Sequence, residues 1–406
     1  MRRVAAVFCM AEDGHFQRLR PVVDGLVRRG LSVHVFTHER YAADVTRTGA
    51  AFEDLFGGRE LEHGPDASMP VPCRYVTFAG EHGGAVANEL AALRPALVVN
   101  DSFAVAGRLA AESLGLPHVQ VSAGHALDPV RTRAALAVDE RVRVSSRCRD
   151  AVTSLRERHG VADASPFSYV AFPSPWLNLY GEPPEFLADD ERRALEPVAF
   201  FGSLPPAGEL GARRRGDGLS AFGEVGTGLR LYASLGTVVW RYWPGVALAA
   251  LAAVSEAVAS IPGARAVLSL GRAAPGSGAL RSLERPGVTV AGYVDQWAIL
   301  QEADVFLTHH GLSSTHEAIW HGVPMLSYPM FWDQPALAAK CQELGLARPL
   351  VETPRGELGP GQVRAALEDL DRRAGTTRDR LAEARAWEAR TVEGREAALD
   401  RVLALI

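Results

Sequence analysis

The chain has 406 residues, of which 22% are charged, and a formal net charge of −5; its length predicts two or three domains at roughly 100–200 residues each. Acidic and basic residues are interspersed, so the sequence offers no basic face for nucleic acid, and its densest basic stretch, 131–158, has the mixed charge of a solvated helix surface. The four cysteines form no C-x-x-C pair, which argues against a structural zinc site and a disulfide framework and for reduced thiols.

The N-terminal apolar run follows Arg2 and Arg3 and ends before Glu12 and Asp13. It is too short to span a membrane, and it lacks the small-residue cleavage site of a signal peptide. We therefore expect a buried strand here and a cytoplasmic protein.

Apolar runs and amphipathic stretches alternate along the first half of the chain. In chain order they predict a strand at 4–9, a helix at 16–29, a strand at 31–36, a strand at 96–100, a helix at 103–113 and a strand at 117–121. Gly30 follows the first helix, as a glycine commonly does at a helix end. Continuous apolar strands separated by helices are typical of a parallel sheet covered on both faces.

The segment 205–228 interrupts this pattern, because it is rich in glycine and contains two prolines and three consecutive arginines. We predict a linker there. A second series follows, with strands at 229–235, 264–270, 288–291, 305–308 and 324–328, helices at 246–260, 314–321 and 335–344, and a helical tail at 376–405. No 20–50-residue repeat appears, which argues against a solenoid.

The predicted fold class is α/β, with two doubly wound, Rossmann-like domains facing each other across a cleft. The predicted boundaries are an N-terminal domain at 1–204, the linker at 205–228, a C-terminal domain at 229–380 and a terminal helix at 381–406. Ligands of such folds bind beyond the carboxyl ends of the strands, so we expect the site in the cleft.

His15 is the first candidate site residue, since it follows the first strand in Asp13-Gly14-His15. Gly14 permits a tight turn, and a histidine with an ordinary pKa of about 6.5 is a usable general base. The alternative is a histidine that caps the helix or faces solvent.

Asp101 is the second candidate, at the carboxyl end of the strand predicted at 96–100. A carboxylate there would orient His15 and stabilise its protonated form. The alternative is an N-cap for the next helix, a common role of aspartate.

The segment 292–334 carries a more specific pattern. A strand runs into His309-His310-Gly311, and a helix opens near Ser313 and Ser314. A helix N-terminus with a glycine, hydroxyl groups and a histidine is suited to bind a phosphate, and Glu317, one turn later, could accept hydrogen bonds from sugar hydroxyls. A metal site at the two histidines is the less favoured alternative, because no third ligand sits nearby.

Two further features bear on the same site. Asp333-Gln334 would cap a helix, a role compatible with ligand binding. Ser234-Leu235-Gly236-Thr237 follows a strand and would expose backbone N–H groups and a hydroxyl to a phosphate. No G-x-G-x-x-G follows the first strand of either domain and no Walker motif is present, which argues against a dinucleotide or P-loop site.

With these motifs in place, the chain resembles the family 1 glycosyltransferases of GT-B fold, the superfamily of plant natural-product and bacterial antibiotic and macrolide glycosyltransferases. The resemblance is carried by Tyr293-Val294-Asp295-Gln296, His309-His310-Gly311-Leu312-Ser313-Ser314, Glu317, Gly322-Val323-Pro324 and Asp333-Gln334. Gly14-His15, Asp101 and Ser234–Thr237 match as well. Nearly the whole chain is covered, although only 229–345 is dense in motif.

The resemblance implies a role for each matching residue. The base of a nucleotide sugar would stack on Tyr293 and bond near Gln296, and Glu317 would hold the ribose. The diphosphate would be held by His309, Gly311, Ser313, Ser314 and the loop Ser234, Gly236 and Thr237. Asp333 and Gln334 would bind the hexose, with Trp332 beside them. His15 and Asp101 would be the catalytic pair, and the terminal helix would cross back to the N-terminal, acceptor-binding domain.

Some positions depart from the family pattern. Tyr293 replaces the usual aromatic residue of plant members, Asp295 replaces proline and Ser313 replaces asparagine. Phosphate contact should survive the serine, whereas base preference is less constrained. The segments 71–85 and 123–142, where acceptor-binding loops would lie, show no readable pattern.

The resemblance thus implies an inverting, metal-independent transfer of a hexose or deoxyhexose from UDP-glucose or a dTDP-deoxysugar to a small-molecule natural product, by a monomer or homodimer without a bound cofactor. Two alternatives from other classes stay open. One is a sugar-nucleotide epimerase of the same fold, and the other is a non-catalytic auxiliary partner of another glycosyltransferase.

Overall fold

The computed structural model describes residues 3–61, 70–122, 124–126, 130, 134, 145–205, 207–210, 221–223, 228–273 and 277–406. Most of the predicted linker, most of the predicted acceptor segment 123–142 and the first half of the basic stretch 131–158 lie outside the described residues. Within the described residues, no helix is both long and apolar enough to cross a membrane.

The strands, in chain order, are β1 (Val4–Phe8), β2 (Ser32–Thr37), β3 (Ala51–Asp54), β4 (Leu97–Asp101), β5 (His118–Val121), β6 (Leu177–Tyr180), β7 (Val198–Phe200), β8 (Arg230–Ser234), β9 (Arg265–Ser269), β10 (Val288–Ala291), β11 (Val305–Thr308), β12 (Met325–Ser327) and β13 (Ala347–Pro349).

The helices are α1 (Asp13–Arg28), α2 (Ala42–Arg47), α3 (Val71–Leu93), α4 (Val105–Ser113), α5 (Ser146–His159), α6 (Asp189–Ala194), α7 (Ala207–Leu210), α8 (Val239–Tyr242), α9 (Pro244–Ala259), α10 (Ser277–Leu283), α11 (Gln296–Leu300), α12 (Leu312–His321), α13 (Gln334–Glu343), α14 (Pro360–Arg372), α15 (Ala374–Glu393) and α16 (Arg395–Leu403).

The chain divides into two compact units, unit 1 (Met1–Pro206 and Thr391–Ile406) and unit 2 (Ala207–Arg390). The described strands of unit 1 form one sheet in the order β3-β2-β1-β4-β5-β6-β7, and those of unit 2 form another in the order β10-β9-β8-β11-β12-β13. Neighbouring strands are parallel in both sheets. The predicted α/β fold with two parallel sheets is therefore confirmed.

The segment 71–85, expected to be an acceptor-binding loop, belongs instead to the long helix α3. Its first ten residues, 71–80, are all buried. A helix buried on every side has no alternation of polar and apolar faces, so periodicity could not reveal it.

The helical tail predicted at 376–405 is present, and it is interrupted once. α15 starts at Ala374, and a break at Gly394 separates it from α16. The chain re-enters unit 1 at Thr391, so α16 belongs to the core of that unit. Leu399 packs so closely on α1 that a Cβ built on Gly25 would lie 2.3 Å from its Cδ1 atom.

The buried side chain of Arg395 ties α16 to the end of the unit 1 sheet. Its guanidinium donates hydrogen bonds to the backbone carbonyls of Phe201 (2.7 Å), Leu204 (2.6 Å) and Pro205 (2.8 Å). A cation with several carbonyl partners can be buried without a large desolvation penalty.

We predict that Arg395→Ala destabilises unit 1 by about 3 kcal/mol, because it leaves buried carbonyls without donors. Urea unfolding followed by circular dichroism measures the change. The control is Arg28→Ala, which removes an exposed ion pair to Glu396 and should change stability by less than about 1 kcal/mol. Equal effects of the two variants would contradict the anchoring role of Arg395.

Candidate functional site

His15 and Asp101, separated by 86 positions in the chain, are brought into contact by neighbouring strands. His15 lies in the first turn of α1, directly after β1, and Asp101 is the last residue of β4, which pairs with β1. The distance from His15 Nδ1 to Asp101 Oδ2 is 2.6 Å. The side chain of Asp101 is 1% exposed and that of His15 is 16% exposed, so the pair opens to solvent through the histidine.

Asp101 is fixed through both carboxylate oxygens. Oδ1 accepts a hydrogen bond from the backbone N–H of Phe103 at 2.9 Å, while Oδ2 faces His15. The N-cap residue of α4 is Ala104, so Asp101 stabilises the preceding turn and does not cap the helix. With Nδ1–H donated to the carboxylate, the neutral imidazole keeps its lone pair on Nε2, the tautomer that a general base requires.

Two aromatic hydroxyls hold the segment that leads into His15. Tyr75 OH accepts a hydrogen bond from Ala11 N at 2.6 Å, and Tyr41 OH donates to Asp13 Oδ1 at 2.7 Å. Burial raises the pKa of both tyrosines, so both stay protonated at neutral pH. Sequence reasoning missed these residues, because Tyr75 lies in the helix without periodicity and Tyr41 carries no motif.

In unit 2, glycines allow the backbone to approach His309 closely. A Cβ on either Gly236 or Gly311 would lie 2.6 Å from His309 Nε2, too close for any residue but glycine. A Cβ on Gly271 would lie 2.2 Å from the carbonyl oxygen of Gly236. We call these three glycines and the His309 ring the glycine cradle.

Strand register explains how the glycine cradle forms. Ser234 of β8 pairs with Ser269 of β9 and with Thr308 of β11, so the residues that follow these three strands meet at one edge. Gly271 was missed by sequence reasoning. The available signal was a repeated tripeptide, because Ser269-Leu270-Gly271 duplicates Ser234-Leu235-Gly236 at the next strand.

The two adjacent histidines have different surroundings. The His309 ring lies in the glycine cradle, and burial lowers its pKa to about 4. His310 is fully buried, its Nε2 lies 2.7 Å from Ser327 Oγ, and burial lowers its pKa to about 3. Both are therefore neutral at pH 7. The part of the chain that the structure describes contains no group of three or more His, Cys, Asp or Glu side chains arranged to hold a metal.

Helix α12 begins directly after Gly311, and its first turn carries Ser313 and Ser314. Its N-terminal N–H groups and helix dipole favour an anion at this position. Its inner face is held by a buried contact between His316 Nδ1 and Glu388 Oε1 of α15, both fully buried. This contact fixes α12 against α15.

Three of the predicted donor residues form one hydrogen-bonded group. Gln296 Nε2 donates to Ser314 Oγ at 3.1 Å and to Glu317 Oε2 at 2.8 Å. The residues predicted to contact the base (Gln296), the diphosphate (Ser314) and the ribose (Glu317) are therefore adjacent. Thr237 is exposed at the β8 strand end, and Tyr293 is 60% exposed after β10.

The predicted hexose-binding residues start helix α13, with Asp333 at its N-cap position. Gln334 is buried, and its Oε1 accepts hydrogen bonds from Met330 N (3.0 Å) and Phe331 N (3.1 Å). Its amide Nε2 is thus the group that could donate to a sugar. Trp332 has a φ of 62°, a left-handed conformation that is unusual for a bulky residue and typical of functional sites.

The chain is similar to known glycosyltransferases. The family profile of the erythromycin biosynthesis protein CIII-like C-terminal domain matches residues 274–389. Zeaxanthin glucosyltransferase of Pseudescherichia vulneris is 29% identical over 318 residues, which cover 71% of this chain and 70% of that protein. The solved structure of the glycotransferase of kitacinnamycin matches 100% of both chains, with a TM-score of 0.74 and 25% identity. The chain has the GT-B fold, and these findings together support a family 1 glycosyltransferase.

A further solved structure of this fold, the spinosyn rhamnosyltransferase SpnG complexed with thymidine diphosphate, matches 99% of this chain and all of SpnG, with a TM-score of 0.66 and 19% identity. The relatives are named glycosyltransferases, so the chain is an enzyme that transfers a glycosyl group. The nucleotide site of such an enzyme is expected at the glycine cradle and α12.

We predict that Gly311→Ala weakens UDP or dTDP binding at least about tenfold, because the added methyl group would displace His309. Gly311 has an ordinary φ of −64°, so the substitution adds a clash without backbone strain. Isothermal titration calorimetry measures the affinity. Gly245→Ala is the control, since its added Cβ would meet no atom within 4 Å; a similar loss in this control would refute the steric explanation.

We also predict that the melting temperature falls as the pH is lowered from 7 to 5. The folded-state pKa values of His309, His310 and His321 are lowered to about 4, 3 and 4. The unfolded chain therefore binds protons at these histidines near pH 6.5 while the folded protein does not, and stability is lost as the pH falls. His310→Gln should make the fall shallower in thermal scans, and an unchanged slope would contradict this origin.

Proposed function

We propose that this glycosyltransferase moves a hexose or deoxyhexose from a UDP- or dTDP-sugar to a hydroxyl of a small-molecule natural product, with inversion and without a metal ion. The contact between His15 and Asp101 carries the proposal, because a histidine oriented by a buried carboxylate is a general base for a hydroxyl nucleophile.

The proposed reaction begins at His15 Nε2, which accepts the proton of the acceptor hydroxyl. Asp101 stabilises the imidazolium that forms. The acceptor oxygen attacks the anomeric carbon from the face opposite the diphosphate while the bond from that carbon to the diphosphate oxygen breaks. Attack from the opposite face inverts the configuration of the anomeric carbon.

Negative charge then develops on the departing nucleoside diphosphate. In unit 2 the N-terminus of α12 and the hydroxyl groups of Thr237 and Ser313 are the candidate partners for this charge. Preorganised dipoles of this kind can supply the stabilisation that other enzymes obtain from a metal ion.

The nature of the donor rests on the relatives. The SpnG structure was solved with thymidine diphosphate, and the Pseudescherichia relative is named as a glucosyltransferase. Both a dTDP-deoxysugar and UDP-glucose are therefore proposed donors, and aromatic or polyketide aglycones are the proposed acceptors.

We predict that His15→Ala and Asp101→Asn each lower kcat by about 10²–10⁴-fold while donor affinity stays within about twofold. In Asp101→Asn the amide N–H would face Nδ1 and leave the proton on Nε2, where the base is needed. The assay measures nucleoside diphosphate release from UDP-glucose and dTDP-glucose with a panel of aromatic aglycones in EDTA, and NMR of the product gives the anomeric configuration.

His34→Gln is the matched control, because His34 also contacts a carboxylate, Glu53, at 2.7 Å, but lies within β2. It should keep normal turnover. Near-normal kcat in His15→Ala would refute the assignment of the base. Donor conversion without acceptor and without nucleotide release would favour an epimerase, and loss of activity in EDTA would refute metal independence.

A further inference from the structure

Tyr293, the predicted platform for the nucleobase, has a cation against one face of its ring. The guanidinium carbon of Arg272 lies 4.4 Å from the ring centroid, although Tyr293 remains 60% exposed. A cation–π contact at an exposed site is worth about 0.5–1 kcal/mol. Arg272 thus restricts the orientation of the ring and leaves much of its surface open.

The backbone fixes the two residues beside each other. Leu270 N donates to Ala291 O at 2.9 Å, and Arg272 N donates to Gly292 O at 2.6 Å. These bonds continue the β9–β10 ladder, in which Ser269 pairs with Ala291, beyond the strand ends. The position of Arg272 over Tyr293 is therefore set by strand pairing.

Arg272 also adopts an uncommon backbone conformation, with a φ of 70°. This left-handed region is strained for a residue with a Cβ, whereas glycine adopts it freely. A non-glycine residue in such a conformation beside a candidate site suggests that its side chain has a function there.

We infer that Arg272 is a positioning residue for the donor nucleobase: it holds the Tyr293 ring so that a pyrimidine base can stack on the face that Arg272 does not cover. A ring already held in place loses less rotamer entropy when the base binds. The inference rests on the proposed nucleotide-sugar function and adds a residue that the motif did not contain.

The rival role for Arg272 is a direct contact to the diphosphate. It follows Gly271 of the glycine cradle, where the diphosphate is proposed to bind, and it carries a long cationic side chain. The two roles differ in what they depend on, because positioning acts through Tyr293 whereas phosphate binding acts through charge and is screened by salt.

A double-mutant cycle on the full chain separates the two roles. Isothermal titration calorimetry with UDP and with dTDP compares the wild type, Arg272→Ala, Tyr293→Ala and the double variant at several NaCl concentrations. We expect Arg272→Ala to raise Kd roughly 2–5-fold, to have no further effect in the Tyr293→Ala background, and to leave the salt dependence unchanged. Arg272→Lys should raise Kd less than Arg272→Ala does, because the lysine keeps a positive charge over the ring.

Arg285→Ala is the matched control, an exposed arginine of the same unit whose guanidinium bonds to Glu284 O; its Kd should equal that of the wild type. In the rival role, Arg272→Ala would weaken nucleotide binding as much in the Tyr293→Ala background as in the wild type, or make the salt dependence of Kd shallower. Either result would assign Arg272 to the phosphates and overturn the inference. An unchanged Kd in Arg272→Ala would also overturn it. Wild-type protein that binds neither nucleotide would instead refute the proposed function.

Discussion

Both candidate sites depend on parallel strand pairing, which brings the carboxyl ends of neighbouring strands to one edge of a sheet. In unit 1 this places His15, after β1, against Asp101, at the end of β4. In unit 2 it joins the residues that follow β9, β8 and β11 into the glycine cradle. The chemistry of each site is thus set by which strands are neighbours.

The residues at the carboxyl ends of the strands have different chemistry in the two sheets. In unit 1 a buried carboxylate orients a partly exposed histidine, a pair suited to moving a proton. In unit 2 burial keeps His309 and His310 neutral, and hydroxyl groups and the N-terminus of α12 lie at the same edge. Such a surface suits a diphosphate, because dipoles attract an anion and need no protonation.

Buried polar contacts hold the functional groups of both units in place. Tyr75 holds the segment before His15, and Gln334 uses its carbonyl oxygen to fix the turn before α13. His316 and Glu388 join α12 to α15. Each bond satisfies a polar group that would otherwise be costly to bury, and each restricts a residue next to a candidate site.

The sequence by itself determined the α/β fold, the family resemblance and most of the described strands, but fewer than half of the described helices. Continuous apolar runs and helical spacing reflect burial of one local segment, and the motif spacing from Tyr293 to Gln334 is preserved along the chain. For the strands and helices that were predicted, the predicted bounds differ from the observed ones by three residues at most, at the start of α1.

Only the tertiary structure decided the elements without a sequence pattern and the contacts between residues far apart in the chain. Helix α3 was hidden, because its first turns are buried on all sides and leave no amphipathic pattern. The contacts of Tyr75 with Ala11, of Arg272 with Tyr293 and of Gly271 with Gly236 join residues far apart in the chain. Such contacts follow from strand order and register, which local sequence patterns do not encode, and they set the distances on which the chemistry depends.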